Sequence, residues 1–402
     1  MSGAIAVHFI GLNLTGSGTG IRHGGVAIAG GGVSFTADVC NFYNNRAKHT
    51  ANVPFCGASL QIDRETSGST VTLNDCRIQG TGEGGCGSAI ALQTSASGTV
   101  LVLNRCHLHD STSSHTGEAG ALQIKGYGAE VTLNDCAVYG NAATAYFDGQ
   151  PSYGGAMKIS AGSLTLNNCD VYDNVADMGG ALLASGASVV TINGGGFWNN
   201  KRSDFNGAGS SNSVVSQGGA IHAAATSSLT ITSTFFEANI ATGSGSAIYL
   251  FFEANSATSS GWDPNFASSA QPGSPPLALF SNLTFRGHSG PVSMVEAGFE
   301  VAWYCALGQW SPTTGAFEAL EYTGCANECL EGTYGAAHNL TAASQCTPCP
   351  RGQVCPSVGL AAGIDCPAGT RMPVDAGGFE PAILSLHVIR GSHVRTPTEY
   401  RC

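Results

Sequence analysis

The sequence has few charged residues and, in particular, few basic ones. Asp, Glu, Lys and Arg make up 11% of 402 residues, and 16 Lys and Arg face 27 acidic residues, which gives a net charge of −11. Binding to nucleic acid depends on clustered Lys and Arg, so no nucleic-acid partner is expected. The same excess of acid would repel anionic membranes and pectin-like polymers.

A membrane-spanning segment and an export leader are also missing. No apolar run reaches the length that crosses a bilayer, and Met1 begins inside repeat-like sequence without a charged-then-apolar leader. We interpret the chain as part of a longer protein. Membrane attachment is then expected only through parts missing from this chain.

The apolar residues show no helical periodicity. The sequence instead repeats at intervals of about thirty residues. Cys76, Cys106, Cys136 and Cys169 lie 30, 30 and 33 residues apart in the phrases TLNDC, VLNRC, TLNDC and TLNNC. Each repeat holds three short runs in which apolar and polar residues alternate, bounded by Gly, Asn and Ser, and such runs are typical of strands. Strands this short must stack on the next repeat to close a core, as they do in a solenoid.

The predicted fold is all-β, a right-handed parallel β-helix of about eight to nine coils over residues 1–300. A Ser-, Pro- and Gly-rich stretch at 256–276 is interpreted as an inserted loop. Alternation places the following side chains inside: Val71, Leu73, Cys76, Ile78, Leu122, Ile124, Leu133 and Val138. It places Thr72, Asp75 and Arg77 outside. Asn74, Asn104, Asn134 and Asn167 are expected to stack at one corner, in the left-handed conformation that Asn tolerates, and Gly-Gly pairs at another.

A cysteine-rich module is predicted at 301–370, followed by a tail at 371–402 that is expected to be truncated or disordered. A module with so little aliphatic sequence needs cross-links, and disulfides are favoured in an oxidising compartment. The disulfide candidates are Cys305, Cys325, Cys329, Cys346, Cys349, Cys355 and Cys366, together with Cys56 and Cys86 at a glycine corner of the β-helix. Zinc held by Cys325, Cys329, Cys346 and Cys349 is the alternative. The inward cysteines are read as packed thiols rather than stacked disulfides, because parallel Cβ vectors suit a disulfide poorly.

Candidate chemical sites are sparse. Three groups of charged residues were considered: Asp75, Arg105 and Asp135, expected to stack across coils; Asp63-Arg64-Glu65, in one loop; and Lys125 and Lys158, on another strand. None of them matches a known catalytic motif. Charge pairing between strands is the preferred interpretation of the stacked trio. His107, His109 and His115 offer a His-x-His spacing for metal, although a solvated polar face is favoured. No catalytic, cofactor or metal site is therefore predicted, while Asn13, Asn282 and Asn339 are glycosylation candidates.

Two segments resemble known families. The rhythm of Gly179-Gly180-Ala181-Leu182 and of the segment 236–241, FEANIA, is similar to the polymorphic outer-membrane protein repeats of bacterial autotransporters. The segment from Cys305 to Thr370 resembles the ephrin-receptor-like cysteine-rich module of eukaryotic extracellular proteins. The resemblance implies an extracellular or cell-surface protein whose β-helix is a stalk or an adhesive passenger, and it carries over no catalytic residue.

The function predicted from the sequence is therefore non-enzymatic adhesion or recognition, or a structural stalk, at the cell surface. The partner is expected to be a protein or a carbohydrate contacted by loops at 141–153, 201–217 and 256–276, whose aromatic residues either contact it or pack back onto the β-helix. Those residues are Tyr146, Phe147, Tyr153, Phe205, Trp262 and Phe266. A polysaccharide-active lyase or hydrolase and a purely structural spacer are the alternatives.

Overall fold

The computed structural model of the chain is all-β. It describes residues 5–16, 25–48, 57–63, 68–83, 89–93, 98–113, 119–144, 151–201, 217–224, 228–241, 245–251, 277–281, 283–286, 293–295, 300–303, 307–310, 327–337, 340, 342–350 and 352–365. Within this part of the chain the helical structure is one 3-10 turn, Ala343–Gln345. Two compact units are present, Met1–Ala302 with Gly315–Thr323 and Trp303–Thr314 with Gly324–Cys402.

Strands of the first unit join into one large sheet of 26 strands, and the pairs whose register is resolved are parallel. The pairings arrange them in three columns, which the chain visits in turn. Column 1 contains β1 (Ile5–Ile10), β4 (Val33–Asp38), β7 (Thr70–Asn74), β10 (Val100–Asn104), β14 (Glu130–Asn134), residues 163–167 of β17 (Met157–Tyr172), residues 189–193 of β18 (Leu182–Trp198), β20 (Ser228–Thr232), β23 (Leu277–Ser281) and β26 (Glu300–Trp303).

The other two columns follow column 1 in each coil. Column 2 contains β2 (Asn13–Thr15), β5 (Asn41–Lys48), β8 (Arg77–Glu83), β11 (His107–His109), β12 (Thr112–Ser113), β15 (Ala137–Tyr139), β16 (Ala142–Ala143), residues 170–172 of β17, residues 196–198 of β18, β21 (Phe235–Glu237) and β24 (Thr284–Arg286). Column 3 contains β3 (Val26–Ile28), β6 (Leu60–Ile62), β9 (Ile90–Leu92), β13 (Leu122–Ile124), residues 157–159 of β17, residues 182–184 of β18, β19 (Ile221–Ala224), β22 (Ile248–Phe251) and β25 (Ser293–Val295).

Successive coils stack in register. Leu133 pairs with Leu103 on the preceding coil and with Leu166 on the following one, and Leu103 pairs in turn with Leu73. Identical apolar side chains therefore repeat at the strand spacing of about 4.8 Å. This winding confirms the predicted solenoid arrangement of a parallel all-β chain.

The core lies inside the coils, and the predicted inward set occupies it. All eight side chains predicted to point inward, from Val71 to Val138, are buried. Asp75 and Arg77 are exposed and Thr72 is half-exposed, as the alternation predicts. Every such position contributes apolar area to one continuous core, at about 25 cal/mol for each Å² removed from water.

The second unit consists of short antiparallel pairs. Its strands are β27 (Gln309–Trp310) with β28 (Asn327–Glu328), β29 (Thr333–Tyr334) with β30 (Thr347–Pro348), and β31 (Gln353–Val354) with β32 (Ile364–Asp365). Disulfides join Cys329 to Cys346 and Cys349 to Cys355. Three of the four cysteines proposed for zinc are therefore consumed by disulfides, so the zinc alternative is wrong.

Candidate functional site

A single residue with positive φ turns the chain from column 1 to column 2. Asp75, Arg105, Asp135 and Asn168 have φ between 51° and 53°. The left-handed conformation predicted for the Asn residue before each of them is wrong. Each of those Asn residues stays in its strand, because its carbonyl accepts a hydrogen bond from the corner residue of the preceding coil, as Asn104 does from Asp75 at 2.9 Å.

Those Asn side chains form a ladder on the outer surface instead. Nδ2 of Asn104 donates to Oδ1 of Asn74 at 2.7 Å, and Asn134 and Asn167 each repeat the bond to the coil before at 2.8 Å. The predicted stacking is confirmed, although its reason is side-chain pairing and not backbone conformation. The amide groups on this corner are thus occupied by one another.

A second, fully buried Asn ladder lies at the far end of column 2. Asn141, Asn174 and Asn200 each donate from Nδ2 to Oδ1 of the next member, at 2.9–3.0 Å, and the ladder ends at Asn239. The same amides also donate to main-chain carbonyls, such as that of Val138 from Asn174 at 2.9 Å. An Asn-x-Ala phrase in the sequence marks Asn141, Asn174 and Asn239 but not Asn200, and the burial of these residues was not predicted.

Aromatic rings form a continuous stack on the outer surface of column 2. We call this stack the aromatic stripe, and its members are His109, Tyr139, Tyr172, Trp198 and Phe235. Centroids of successive rings are 5.3, 4.9, 4.6 and 5.4 Å apart, and successive planes differ by 4–12°. The first four rings are half-exposed and Phe235 is exposed.

Stacking determines which surfaces of the rings are accessible to solvent. Tyr139, Tyr172 and Trp198 each have a ring above and a ring below, so both of their faces are covered. Their edges remain. A sugar that binds by packing its C–H groups on a ring face therefore has no free face at these three positions.

A glycine makes room for the last ring. Phe235 pairs with Gly196 in the strand register, not with Trp198, and its ring leans across to stack on the indole. A Cβ atom at Gly196 would meet the Phe235 ring in steric overlap. Gly196 is thus part of the stripe even though it carries no side chain.

Three carboxylates, which we call the acidic rim, border the stripe, one at its first coil and two at its third. Asp170 lies on the same outer surface as Tyr172, while Asp110 and Asp173 are corner residues directly after His109 and Tyr172, and all three are exposed. The pKa of Tyr172 is raised, first by burial and then by the charges of Tyr139, Asp173, Asp170 and Asp110. Partial burial also raises the pKa of Asp170.

The His-x-His motif belongs to this surface. His107 and His109 both point outward, and His109 stacks on Tyr139 while its Nδ1 lies 2.9 Å from Oδ2 of Asp110. His115 lies outside the described residues. In the part of the chain that the structure describes, no group of three His, Cys, Asp or Glu residues is arranged to hold a metal ion.

The predicted charge trio is only partly paired. Arg105 donates from Nε and Nη2 to the two carboxylate oxygens of Asp75 at 2.8 and 2.7 Å, which lowers the pKa of Asp75. Asp135 instead accepts a hydrogen bond from Nδ2 of Asn168 at 2.9 Å. Cross-strand pairing is therefore confirmed for Arg105 with Asp75.

The inward cysteines are free thiols in a column. Cys40, Cys76, Cys106, Cys136 and Cys169 are all buried and unbonded to one another by disulfides. Each thiol lies near main-chain carbonyls, as Cys76 does to Asn74 O at 3.2 Å. Hydrogen bonds with Cys136 and Cys76, together with burial, raise the pKa of Cys106. Packed thiols were predicted and are confirmed for these positions.

Outward side chains of column 3 are buried, which the sequence did not predict. Five polar members of this row are covered: Gln61, Gln123, Lys158, His222 and Tyr249. The ring of His222 lies 5.0 Å from that of Tyr249, and Tyr249 Oη accepts from Gln217 at 3.0 Å. Burial lowers the pKa of His222 to about 4, against an opposing effect of the Gln217 main chain.

The remaining predicted contacts fall mostly outside the described residues. This applies to Tyr146, Phe147, Phe205, Trp262 and Phe266, to Cys56, Cys86, Cys305, Cys325 and Cys366, to Arg64 and Glu65, and to Asn282 and Asn339. Tyr153 is described, and Nζ of Lys158 lies 5.1 Å from its ring centroid, so this ring packs back onto the coils. Asn13 is exposed, and its Oδ1 accepts from Asn41 at 2.9 Å.

The chain matches no family model, no curated protein and no solved structure. Among the described residues there is no helix of the length and apolar character needed to cross a membrane.

Proposed function

We propose that the protein is a non-enzymatic extracellular or cell-surface recognition protein. Its scaffold is a right-handed parallel β-helix, followed by a disulfide-rich module similar to the ephrin-receptor-like family. The observation that carries this proposal is the aromatic stripe, an apolar surface that crosses five coils and is bordered by carboxylates. Aromatic side chains concentrate at protein recognition surfaces.

The surroundings of the stripe support recognition. Polar groups at the corner that precedes column 2 bond to neighbouring coils: Asn104 donates to Asn74, and Arg105 donates to Asp75. Rigid scaffolds of this kind present a binding surface with little loss of side-chain entropy on association. The parallel winding supports a β-helix, and the right hand follows from the strong preference of parallel crossovers for that hand.

The compartment is supported by the two disulfides, Cys329–Cys346 and Cys349–Cys355. Disulfides persist where the surroundings are oxidising, as at the cell surface. The polymorphic outer-membrane protein resemblance of the repeats points to the same location. A polysaccharide-active enzyme and a purely structural spacer remain the competing functions.

Labelling of intact cells tests this proposal. Cells that produce the protein are treated with a membrane-impermeant biotin reagent, and the purified chain is incubated with a panel of neutral and acidic polysaccharides. We expect labelling before lysis and no new reducing ends or unsaturated sugars. Labelling only after lysis would overturn the location, and turnover of a polysaccharide would establish the enzyme alternative.

A further inference from the structure

The charge around the aromatic stripe is unevenly distributed along its length. Asp110 lies beside its first coil and Asp170 and Asp173 lie beside its third, whereas the basic residues Arg77 and Arg286 lie one coil beyond either end. Lys201 follows Trp198 on the far side of the corner at Asn199. The carboxylates therefore lie along the stripe itself, and the two arginines lie beyond its ends.

One carboxylate of the acidic rim is unused within the fold. Asp170 makes no hydrogen bond or ion pair with any residue that the structure describes, and partial burial raises its pKa. Asp110 and Asp173 have one side-chain partner each, His109 and Asn199. All three carboxylates keep free acceptor positions.

We propose that the aromatic stripe and the acidic rim form a docking surface for an extended, arginine-rich polypeptide segment. This inference rests on the recognition function proposed above and names the chemistry of the partner. Arginine suits such a surface because its guanidinium binds carboxylates in a bidentate manner while its stem packs along apolar edges.

Dimensions of the surface match an extended chain. Five coils at about 4.8 Å span roughly 19 Å, which is the length of about six extended residues. Two coils, or about 10 Å, separate Asp110 from Asp170 and Asp173, and about three extended residues cover that distance. Several arginines of one short segment can thus reach the acidic rim together.

Covered ring faces argue against a carbohydrate in the same place. A sugar needs an open aromatic face, and stacking removes both faces of Tyr139, Tyr172 and Trp198. Acidic polymers and anionic lipid would meet the like charge of the acidic rim. A cationic polypeptide meets neither obstacle.

Fluorescence anisotropy with the full chain tests the proposal. The probe is a labelled octapeptide of alternating arginine and serine, compared with the same peptide carrying glutamate for arginine. The rim variant is the triple substitution Asp110→Asn, Asp170→Asn and Asp173→Asn, in which Asn also tolerates the positive φ of residues 110 and 173. A matched control removes the same charge elsewhere, at the exposed residues Glu130→Gln, Glu328→Gln and Glu331→Gln.

The rim variant is expected to bind the arginine peptide at least tenfold more weakly, and the control variant to bind like the natural chain. Rising salt should weaken the natural chain more than the rim variant. A Phe235→Ser variant, which removes the exposed end of the stripe, should also bind more weakly while melting as a folded protein.

Other outcomes overturn the inference. Equal binding by the rim and control variants would show that only overall charge matters, and equal competition by spermine would replace the polypeptide with a small polyamine. A neutral oligosaccharide that binds the natural chain but not Phe235→Ser, with no peptide binding, would leave the recognition function intact and discard the arginine-rich partner. The location test described above decides the recognition function separately.

Discussion

The ring of Tyr172 lies 4.6 Å from the indole of Trp198 on the next coil, and the two planes differ by only 4°. Stacked aromatic pairs contribute about 0.5–1.5 kcal/mol beyond the area they bury. Trp198 has such a neighbour on each side, so it joins two halves of the aromatic stripe.

Replacing Trp198 tests the strength of this stack. Trp198→Ser is expected to lower the free energy of unfolding by about 2–4 kcal/mol, because two ring contacts and their buried area are lost. Trp198→Tyr keeps a ring in place and should cost less than about 1 kcal/mol. Urea unfolding measures both, and equal losses would show that the stacking itself contributes nothing.

Gly196 and Phe235 are expected to be energetically coupled. Gly196→Ala places a methyl group where the Phe235 ring lies and should destabilise by about 1–3 kcal/mol, as other overpacking does. In a Phe235→Ala background the same change should cost little. A double-mutant cycle measures the coupling, and additive effects would place the ring elsewhere.

Opposite sides of β14 should respond differently to charge. Leu133 is buried and Thr132 is half-exposed in the same strand. Leu133→Asp should lower stability by more than about 3 kcal/mol or prevent folding, because it leaves an unpaired charge in the core. Thr132→Asp should cost about 1 kcal/mol or less. Comparable thermal melts for the two variants would contradict the observed register.

The two Asn ladders should differ in energetic weight. Asn174→Ala removes a buried amide that bonds Asn200 and the Val138 carbonyl, and we expect a loss of about 1–3 kcal/mol from the unsatisfied groups left behind. Asn104 is half-exposed, and water replaces its partners, so Asn104→Ala should cost about 1 kcal/mol or less. Chemical denaturation of both variants provides the comparison. A larger loss at Asn104 would count against the burial argument.

Cysteine reactivity should separate the two kinds of cysteine. Free thiols at Cys76, Cys106 and Cys136 should resist alkylation until the coils unfold, because they are buried and the reagent cannot reach them. Cys329 and Cys346 should react after mild reduction without denaturant. Mass mapping of alkylated peptides follows each site. Reaction of the buried set in the native chain would mean that the core opens readily.

Local repetition made the coils predictable from sequence. Strand alternation around Leu73 and Leu133 identifies the inward side chains. Successive coils pair in register, so equivalent residues of neighbouring coils point in the same direction. The aromatic stripe also has a local signal, because His109, Tyr139 and Tyr172 each stand three residues after a ladder cysteine. The stripe was not predicted, and aromatic residues in the long loops were predicted to contact the partner instead.

Other features were not predictable in the same way. Burial of Lys158 and His222 on the outside of column 3 depends on what covers them, and strand alternation alone marks both as solvent-facing. The corner at Asn104 was misread because Asn favours left-handed conformations as well as side-chain ladders. The conformational preference of Asn does not distinguish a left-handed backbone from a side-chain ladder. The pairing of neighbouring coils determines which of the two forms.

The outer Asn ladder has a direction. Each amide from Asn193 to Asn74 points its N–H toward the coil before it, and the last of these donors meets the carboxylate of Asp38, whose pKa is lowered by the bond from Asn74 and then by His8. A row of aligned amide dipoles therefore terminates on a negative charge, as a helix N-terminus does on a bound anion. A coil that carries Asn at this position can be added to or removed from the middle of the row without changing either terminus. The number of coils can consequently vary while the polarity of the array is preserved.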